Sequence, residues 1–69
     1  MNRLTSREID VVELLAEGKT NEQIAKQLYI SIHTVKAILE KVYEKLAVHN
    51  RVQVAMIYAK EYLLNNSEV

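Results

Sequence analysis

The chain contains four successive segments in which apolar residues recur every three or four positions. This spacing places apolar side chains on one face of an α-helix, whose period is about 3.6 residues. Three segments begin with a Thr or Asn that is followed three residues later by Glu or Gln, at Thr5–Glu8, Thr20–Gln23 and Asn50–Gln53. Because such a pair satisfies free backbone N–H groups at a helix start, the pattern predicts an all-α domain of four helices.

Other residues predict where the helices begin and end. Gly18 predicts the end of the first helix, because glycine adopts the left-handed conformation of a helix terminus without steric penalty. The second helix is predicted over residues 21–28. Ser31 is a good N-cap for a long third helix over residues 32–46. The last helix is predicted to run to about residue 64.

The connection between the second and third helices is the most informative feature of the pattern. It leaves about three residues, Tyr29 to Ser31, between the two helices. A connection this short does not let the helices lie side by side over their length, so they must cross steeply. Residues of about 19–38 are therefore predicted to form a helix-turn-helix motif, with the first helix packed behind it.

The third helix separates an apolar stripe from a mixed polar face. Val35, Leu39 and Val42 fall on one side at helical spacing and are predicted to face the core. The opposite side carries His33, Lys36, Ala37, Glu40, Lys41 and Glu44. Ala37 is small, so the backbone there could approach another surface closely, and its methyl group could touch a thymine methyl. A plain solvated face, with alanine present for its helix propensity, explains the same residues.

The composition excludes several classes of protein and site. The 69 residues allow one domain, predicted over residues 1–65 with a frayed tail at 66–69. The chain has no cysteine, which excludes disulfides and zinc fingers, and a cytoplasmic location is expected. No apolar run approaches the roughly 18 residues that span a bilayer, so no membrane partner is expected. His33 and His49 are too far apart in sequence to suggest a metal site, and no cofactor is expected.

No arrangement of residues typical of an enzyme is visible in the sequence. It contains no Cys nucleophile, no carboxylate–His constellation and no glycine-rich phosphate loop. Glu40 and Glu44 share one helix face, but the neighbouring Lys36 and Lys41 indicate a solvated mosaic of charges. The sequence therefore predicts a protein that is not an enzyme.

The charge distribution is asymmetric although the formal net charge is zero. Residues 1–25 carry three basic and five acidic residues, whereas residues 26–60 carry six basic and two acidic residues, a net charge of +4. Such asymmetry is a weak indication of a polyanionic partner. An ordinary mixed surface accounts for it at least as well.

Three sequence motifs follow one another along the chain: LTSRE at residues 4–8, GKTNEQIAKQLYISIHTVK at 18–36 and KLAV at 45–48, followed by Arg51. Together they resemble the LuxR-type (GerE-type) helix-turn-helix domain, which ends many bacterial response regulators and quorum-sensing regulators. The resemblance extends from residue 4 to about residue 59, nearly the whole chain. It implies an all-α, four-helix domain with a tri-helical core and a C-terminal helix.

The resemblance implies a sequence-specific DNA-binding transcription regulator, or its isolated output domain, that reads the major groove of double-stranded DNA with the third helix. The implied base-reading residues are Lys36, Ala37 and Glu40. The implied phosphate contacts are Asn21, His33, Thr34, Lys41, Lys45 and Arg51. Thr34 has an alternative as a first-turn hydroxyl bonded to its own backbone, and Arg51 could instead bridge to Glu8 or Glu44 within the fold.

Two residues depart from the family pattern. Ile38 stands where the family usually has His, and it leans toward the core stripe. Glu40 stands where many relatives carry a neutral or basic residue; it repels phosphate but can accept a hydrogen bond from cytosine N4. We interpret Glu40 as a specificity element. Glu40 and the neutral net charge also support an alternative, a helical interaction or dimerisation module with weak or lost DNA binding.

The last helix has apolar residues on two sides. One stripe is predicted to face the core and consists of Val52, Ala55, Met56, Ala59 and Leu63. Val54, Ile57, Tyr58 and Leu64 lie largely opposite. We expect a weak two-fold homodimer through Val54, Ile57 and Tyr58, because the resembling family commonly dimerises through this helix. RNA polymerase is a further candidate partner.

Overall fold

The computed structural model describes residues 3–66 of the chain, and side chains up to residue 62. Within that range the chain forms the helices α1 (Ser6–Ala16), α2 (Asn21–Leu28), α3 (Ile32–Leu46) and α4 (Arg51–Asn66). The predicted all-α, four-helix fold is confirmed, and the bounds of α2 and α3 are those that the sequence predicts. Among the described residues, none of the helices combines the length and the hydropathy that a membrane span needs.

The N-termini of the helices are fixed by the caps that the sequence predicts. Thr5 Oγ1 accepts a bond of 3.1 Å from the Glu8 N–H, and Glu8 Oε1 accepts one of 2.8 Å from the Thr5 N–H. Thr20 and Gln23 repeat this reciprocal pair at the start of α2. At α4 the pair is displaced, because Gln53 Oε1 accepts from His49 N–H rather than from the Asn50 N–H. All of these bonds satisfy donors that a helix start leaves free.

The C-termini of the first three helices are followed by residues with positive φ. Gly18 has φ 89°, as its position in the sequence predicts, but Tyr29 and Ala47 also adopt the left-handed conformation, with φ 58° and 56°. The turn after α2 is closed by a bond of 3.0 Å from the Ile30 N–H to the Ala25 carbonyl. The chain can therefore change direction sharply within three residues and begin α3 at once.

The core lies between all four helices, and α1 packs against each of the other three. The predicted stripe of α3 is confirmed, since Val35, Leu39 and Val42 are buried. The complete set of buried apolar residues in the described range is Leu4, Val11, Val12, Leu14, Leu15, Ile24, Ala25, Val35, Leu39, Val42 and Val54. α2 and α3 pack against one another and cross as a helix-turn-helix pair, with α1 behind them.

The predicted rotation of α4 is wrong. Val54, expected on the outer side, is fully buried, whereas Val52 and Met56, expected in the core, are 63% and 66% exposed. The reason is that α4 carries apolar residues around most of its circumference, so the sequence pattern does not distinguish its inner side. Leu63 and Leu64 were the last predicted members of the two stripes. Their side chains lie outside the part of the chain whose side chains the structure describes.

The predicted end of the domain also needs correction. α4 continues to Asn66, two residues beyond the predicted helix end and into the segment expected to form a frayed tail. The rest of that predicted tail, residues 67–69, lies outside the described residues. Helix ends that no cap residue marks are placed least accurately from a sequence.

Candidate nucleic-acid interface

The outer face of α3 is open to solvent along its N-terminal half. Seven residues of this helix are predicted to contact DNA, and Lys45 among them is half-buried. The other six are exposed: His33, Thr34, Lys36, Ala37, Glu40 and Lys41. The apolar stripe of the same helix is buried, so α3 is held from behind and presents its polar side outward. We refer to these six residues as the α3 outer face.

Ala37 lies in a shallow depression on the α3 outer face. The depression is lined by His33, Thr34, Ala37, Ile38 and Lys41. Ile38 is half-buried and packs against the core, as its position beside the apolar stripe predicts. A small residue in a depression between longer polar side chains allows close approach of an edge or a methyl group from another molecule. A depression of this kind leaves room for a base edge or for a thymine methyl group.

Thr34 takes part in a local hydroxyl pair at the start of α3. Its Oγ1 lies 3.0 Å from Ser31 Oγ, and its backbone N–H donates to the same Ser31 oxygen over 3.0 Å. The Thr34 hydroxyl is therefore bonded to another side chain, whereas the alternative expected a bond to its own backbone. Its predicted phosphate contact stays a prediction, because a hydroxyl in such a pair keeps further capacity to donate or accept.

Arg51 and Asn21, both predicted to contact phosphate, are bonded to each other. Arg51 Nη1 donates to Asn21 Oδ1 over 3.0 Å, and Arg51 Nη2 donates to the Lys19 carbonyl over 2.6 Å. Both residues are half-buried. The expected alternative, a bridge from Arg51 to Glu8 or Glu44, is correct in placing Arg51 within the fold but wrong in its partners. The sequence gives no signal for a bond to the Lys19 backbone.

Lys45 has an internal partner that the predicted phosphate contact did not include. Its Nζ lies 2.8 Å from Glu8 Oε1, and the Glu8 side chain is buried. Lys45 lies in the last turn of α3, at the opposite end from Ser31. We therefore assign Lys45 to the scaffold and leave it out of the proposed DNA contacts.

The pKa of Glu8 is held below its ordinary value. The hydrogen bond from Lys45 is the largest cause, followed by the bond from the Thr5 backbone N–H. Both bonds stabilise the charged carboxylate, and together they outweigh the burial of the group. The carboxylate that caps α1 thus also fixes the C-terminal end of α3, and this orients α3 on the scaffold.

The residues predicted for a dimer interface are distributed unequally over α4. Val54 is fully buried, so its predicted contact with a partner subunit is wrong. Ile57 and Tyr58 are half-buried, and their predicted contact stays a prediction. The Tyr58 ring stacks on Tyr62 with centroids 5.5 Å apart. Burial, with the nearby Glu13 carboxylate, raises the Tyr58 pKa.

Two exposed features of the described residues were not predicted from the sequence. Tyr29, in the turn of the motif, is 94% exposed. On α2, a second shallow depression is lined by Lys19, Gln23, Lys26 and Gln27, which adds positive charge beside the motif. The helical spacing of α2 could have identified Lys26 as an exposed cation. Nothing in the sequence marks Tyr29 as a residue without packing partners.

The short turn, the buried scaffold and the exposed α3 outer face define a helix-turn-helix domain of the DNA-binding class. Residues 2–58 match the family of bacterial regulatory proteins described as the luxR family. The chain belongs to this family, which consists of DNA-binding transcription regulators. The resemblance inferred from the sequence motifs is thereby confirmed.

Individual relatives of the chain are named transcription regulators. The transcriptional regulatory protein LiaR of Bacillus subtilis is 42% identical over 62 residues, which is 90% of this chain and 29% of the relative. The transcriptional regulatory protein DesR of the same organism is 43% identical over 60 residues, 87% of this chain and 30% of the relative. A nitrate/nitrite response regulator protein homolog of Haemophilus influenzae is 39% identical over 61 residues, 88% and 29%. The chain thus spans less than a third of the length of these relatives.

Proposed function

We propose that this chain is the DNA-reading output domain of a bacterial transcription regulator and that α3 enters the major groove of double-stranded DNA. The observation that carries the proposal is the α3 outer face, which is exposed along its length while the opposite stripe of α3 is buried. A rigid scaffold that presents one helix in this way meets the steric requirement for groove entry. We propose no catalytic role, and the place of action would be the cytoplasm, where bacterial DNA lies.

Base reading would come from three neighbouring side chains. Lys36 carries donors for a guanine edge, and Ala37 offers a methyl group to thymine. Glu40 would accept from cytosine N4, so it would favour one base pair while lowering affinity for the phosphate backbone. All three side chains are exposed, and none has a side-chain hydrogen bond or ion pair within the described part of the chain.

Phosphate contacts would flank these residues and set the orientation of α3. His33 and Thr34 lie in the first turn of α3, and Lys41 lies one turn beyond Ala37. Asn21 begins α2, which crosses α3. Such contacts fix register and supply the salt-dependent part of the affinity without reading sequence.

A weak two-fold homodimer through α4 is proposed on a corrected surface. Val52 and Met56 lie one helical turn apart, and both are largely exposed. Their exposed apolar area lies beside the half-buried Ile57, and a second copy of the chain would cover it. Two α3 helices related in this way would lie roughly 34 Å apart, one turn of DNA. Sedimentation at rising concentration, with Met56→Glu as the comparison, tests the dimer; a monomer at every concentration, on and off DNA, contradicts it.

RNA polymerase is proposed as a further partner, because a transcription regulator must ultimately affect polymerase at a promoter. The proposed function of the chain itself, DNA binding, does not depend on it.

Selection of bound sites from random DNA, followed by a salt titration on the selected duplex, tests the proposal. We expect enrichment of a short sequence and an affinity that falls steeply with salt. Lys36→Ala should weaken binding to the selected site, whereas Arg7→Ala should not. Arg7 is an exposed cation on α1 that contacts Asp10 at 3.8 Å, so it controls for loss of one positive charge.

The opposite result supports the alternative function. If no sequence is enriched and Lys36→Ala and Arg7→Ala bind a mixed-sequence duplex equally, α3 does not read DNA. The chain would then be a helical interaction module, which its zero net charge and Glu40 also allow.

A further inference from the structure

Arg51 connects two helices that do not otherwise pack against each other. The backbones of α2 and α4 do not approach each other in the described part of the chain, whereas α1 packs against both helices. Arg51 begins α4, and its guanidinium lies against the connection that leads into α2. The two terminal nitrogens bond to different acceptors, Asn21 Oδ1 at 3.0 Å and the Lys19 carbonyl at 2.6 Å.

The bond to Arg51 determines which end of the Asn21 amide faces outward. A guanidinium only donates hydrogen bonds, so it must bond to the amide oxygen and never to the amide nitrogen. The Nδ2 group, with its two N–H donors, is therefore directed away from Arg51. A DNA phosphate only accepts hydrogen bonds at neutral pH, so this is the orientation of Asn21 that a phosphate contact requires.

The second bond, to the Lys19 carbonyl, restricts the movement of the Arg51 guanidinium. A planar guanidinium bonded to two acceptors has little freedom to rotate, since moving toward one acceptor breaks the bond to the other. One of these acceptors is a backbone carbonyl, so the guanidinium is held in a fixed position relative to the main chain. Arg51 is half-buried in this arrangement, and both terminal nitrogens already have protein partners.

We propose that Arg51 is a positioning residue for DNA binding: it acts through Asn21, whose amide it holds with the Nδ2 donors outward, and not through its own contact with phosphate. This inference rests on the proposed function, because it assumes that the start of α2 meets the DNA backbone. It changes the role that the sequence predicted for Arg51 and keeps the role predicted for Asn21. It also makes the start of α4 part of the DNA-binding apparatus.

Charge separates this role from a direct contact. Each phosphate neutralised by a cation adds about 0.9 to the slope of log affinity against log salt concentration. Asn21 is neutral, so a contact made by Asn21 adds nothing to that slope. Removing Arg51 should therefore lower the affinity but leave the salt slope unchanged.

The experiment uses the 69-residue chain and a fluorescently labelled, mixed-sequence duplex of about two helical turns. Dissociation constants are measured by anisotropy over a range of salt concentrations for Asn21→Ala, Arg51→Gln, Arg51→Lys and the double variant Asn21→Ala/Arg51→Gln. Circular dichroism fixes a temperature at which every variant is folded. Arg51→Lys is the charge-matched control, because lysine keeps the cation but cannot reach both acceptors with a rigid fork.

We expect Asn21→Ala and Arg51→Gln each to weaken binding roughly 2- to 10-fold, the range for one lost hydrogen bond. The double variant should be no weaker than either single variant, because both remove the same contact. Arg51→Lys should lose affinity like Arg51→Gln, and all salt slopes should match that of the unmodified chain. A role in stability alone would leave the affinity of the folded variants unchanged.

Several outcomes would overturn the inference. These are a salt slope smaller by about 0.9 in Arg51→Gln, full affinity in Arg51→Lys, losses that add in the double variant, or an unaffected Asn21→Ala. A second measurement does not depend on DNA. In the free chain, the NMR signals of the Asn21 side-chain amide should move in Arg51→Lys to the values of a solvent-exposed amide without a protein partner, and unchanged signals contradict the proposal.

Lys36→Ala on the same duplex at low salt distinguishes the two levels of failure. If Lys36→Ala weakens binding and lowers the salt slope but the Arg51 variants do not change affinity, only the inference about Arg51 fails. If Lys36→Ala and Asn21→Ala both bind like the unmodified chain, the proposed DNA interface fails with it.

Discussion

Lys45 Nζ lies 2.8 Å from Glu8 Oε1, and this ion pair joins the first turn of α1 to the last turn of α3. The same carboxylate oxygen accepts from the Thr5 N–H, so one buried group both caps α1 and fixes α3. α3 carries the proposed base-reading residues. The orientation of the reading helix therefore depends on an ion pair at its far end.

The ion pair predicts that the domain loses stability in acid. The folded-state pKa of Glu8 is lowered, so its contribution is fully present above the unfolded-state pKa. It declines as pH falls below 4.5, the ordinary pKa of a glutamate side chain, and is lost once pH has passed below the folded-state pKa. Urea denaturation measures the free energy of unfolding at pH 6 and in acid. We expect this free energy to decrease less in Glu8→Gln than in the unmodified chain, because glutamine has no carboxylate to protonate. An equal decrease in both proteins would show that Glu8 is not the responsible carboxylate.

Lys45→Met should destabilise the domain without changing its electrostatic contact with DNA. Glu8 would remain buried with its charge uncompensated by Lys45, which should lower the free energy of unfolding by about 1.5–3 kcal/mol. Because Lys45 is assigned to the scaffold, the slope of log affinity against log salt should not change. Chemical denaturation and a salt titration check the two parts. A slope reduced by about 0.9 would restore Lys45 to the phosphate contacts that the sequence predicted.

The left-handed residues Tyr29 and Ala47 predict stabilising substitutions. Residues with a Cβ are strained in this conformation, whereas glycine adopts it freely. Because Tyr29 is 94% exposed, Tyr29→Gly loses little packing and should raise the free energy of unfolding by about 0.5–1 kcal/mol.

Two further substitutions control for this explanation. Ala47→Gly, at φ 56°, should stabilise by a similar amount. Gly18→Ala should destabilise, although a Cβ there meets no atom within 4 Å, because only the backbone conformation at φ 89° opposes it. Thermal denaturation of the three variants is the measurement. A destabilised Tyr29→Gly would mean that the Tyr29 side chain makes a contact that its exposure does not reveal.

The rotation of α4 predicts opposite results for two valines two residues apart. Val54→Ala removes two methyl groups from a fully buried site and should cost roughly 1–3 kcal/mol of unfolding free energy. Val52→Ala removes the same groups from a side chain that is 63% exposed, and should change stability by less than about 0.5 kcal/mol. Urea denaturation at low protein concentration, where a weak dimer dissociates, compares them. Equal costs would contradict the described packing of α4 on α1.

These residues also show what a single sequence can predict. Helix starts were predicted correctly because Thr5, Thr20 and Ser31 bond to backbone three residues away, and such local bonds leave a readable pattern. The stripe of α3 was correct because its two sides differ sharply in polarity.

The remaining features depend on long-range contacts or on weak local signals. Lys45 and Glu8 are 37 positions apart, so no local spacing reveals their bond. α4 is apolar on more than one side, and its rotation is set by packing on α1 and by the bonds of Arg51, which the sequence pattern does not contain. Tyr29 and Ala47 end helices without glycine, so nothing marked them as left-handed.

Glu40 provides the sharpest prediction for sequence reading. Glu40→Gln removes a negative charge from the α3 outer face, so affinity for a mixed-sequence duplex should rise at low salt. If Glu40 accepts from cytosine N4, its replacement should also weaken the preference at one base pair, where a good contact discriminates by about 1–3 kcal/mol.

Glu44→Gln is the matched control, because Glu44 is exposed one turn further along α3. Glu44→Gln should not change the preferred sequence. Binding-site selection with each variant checks this. Identical preferences in all three proteins would show that Glu40 only repels the backbone and reads no base.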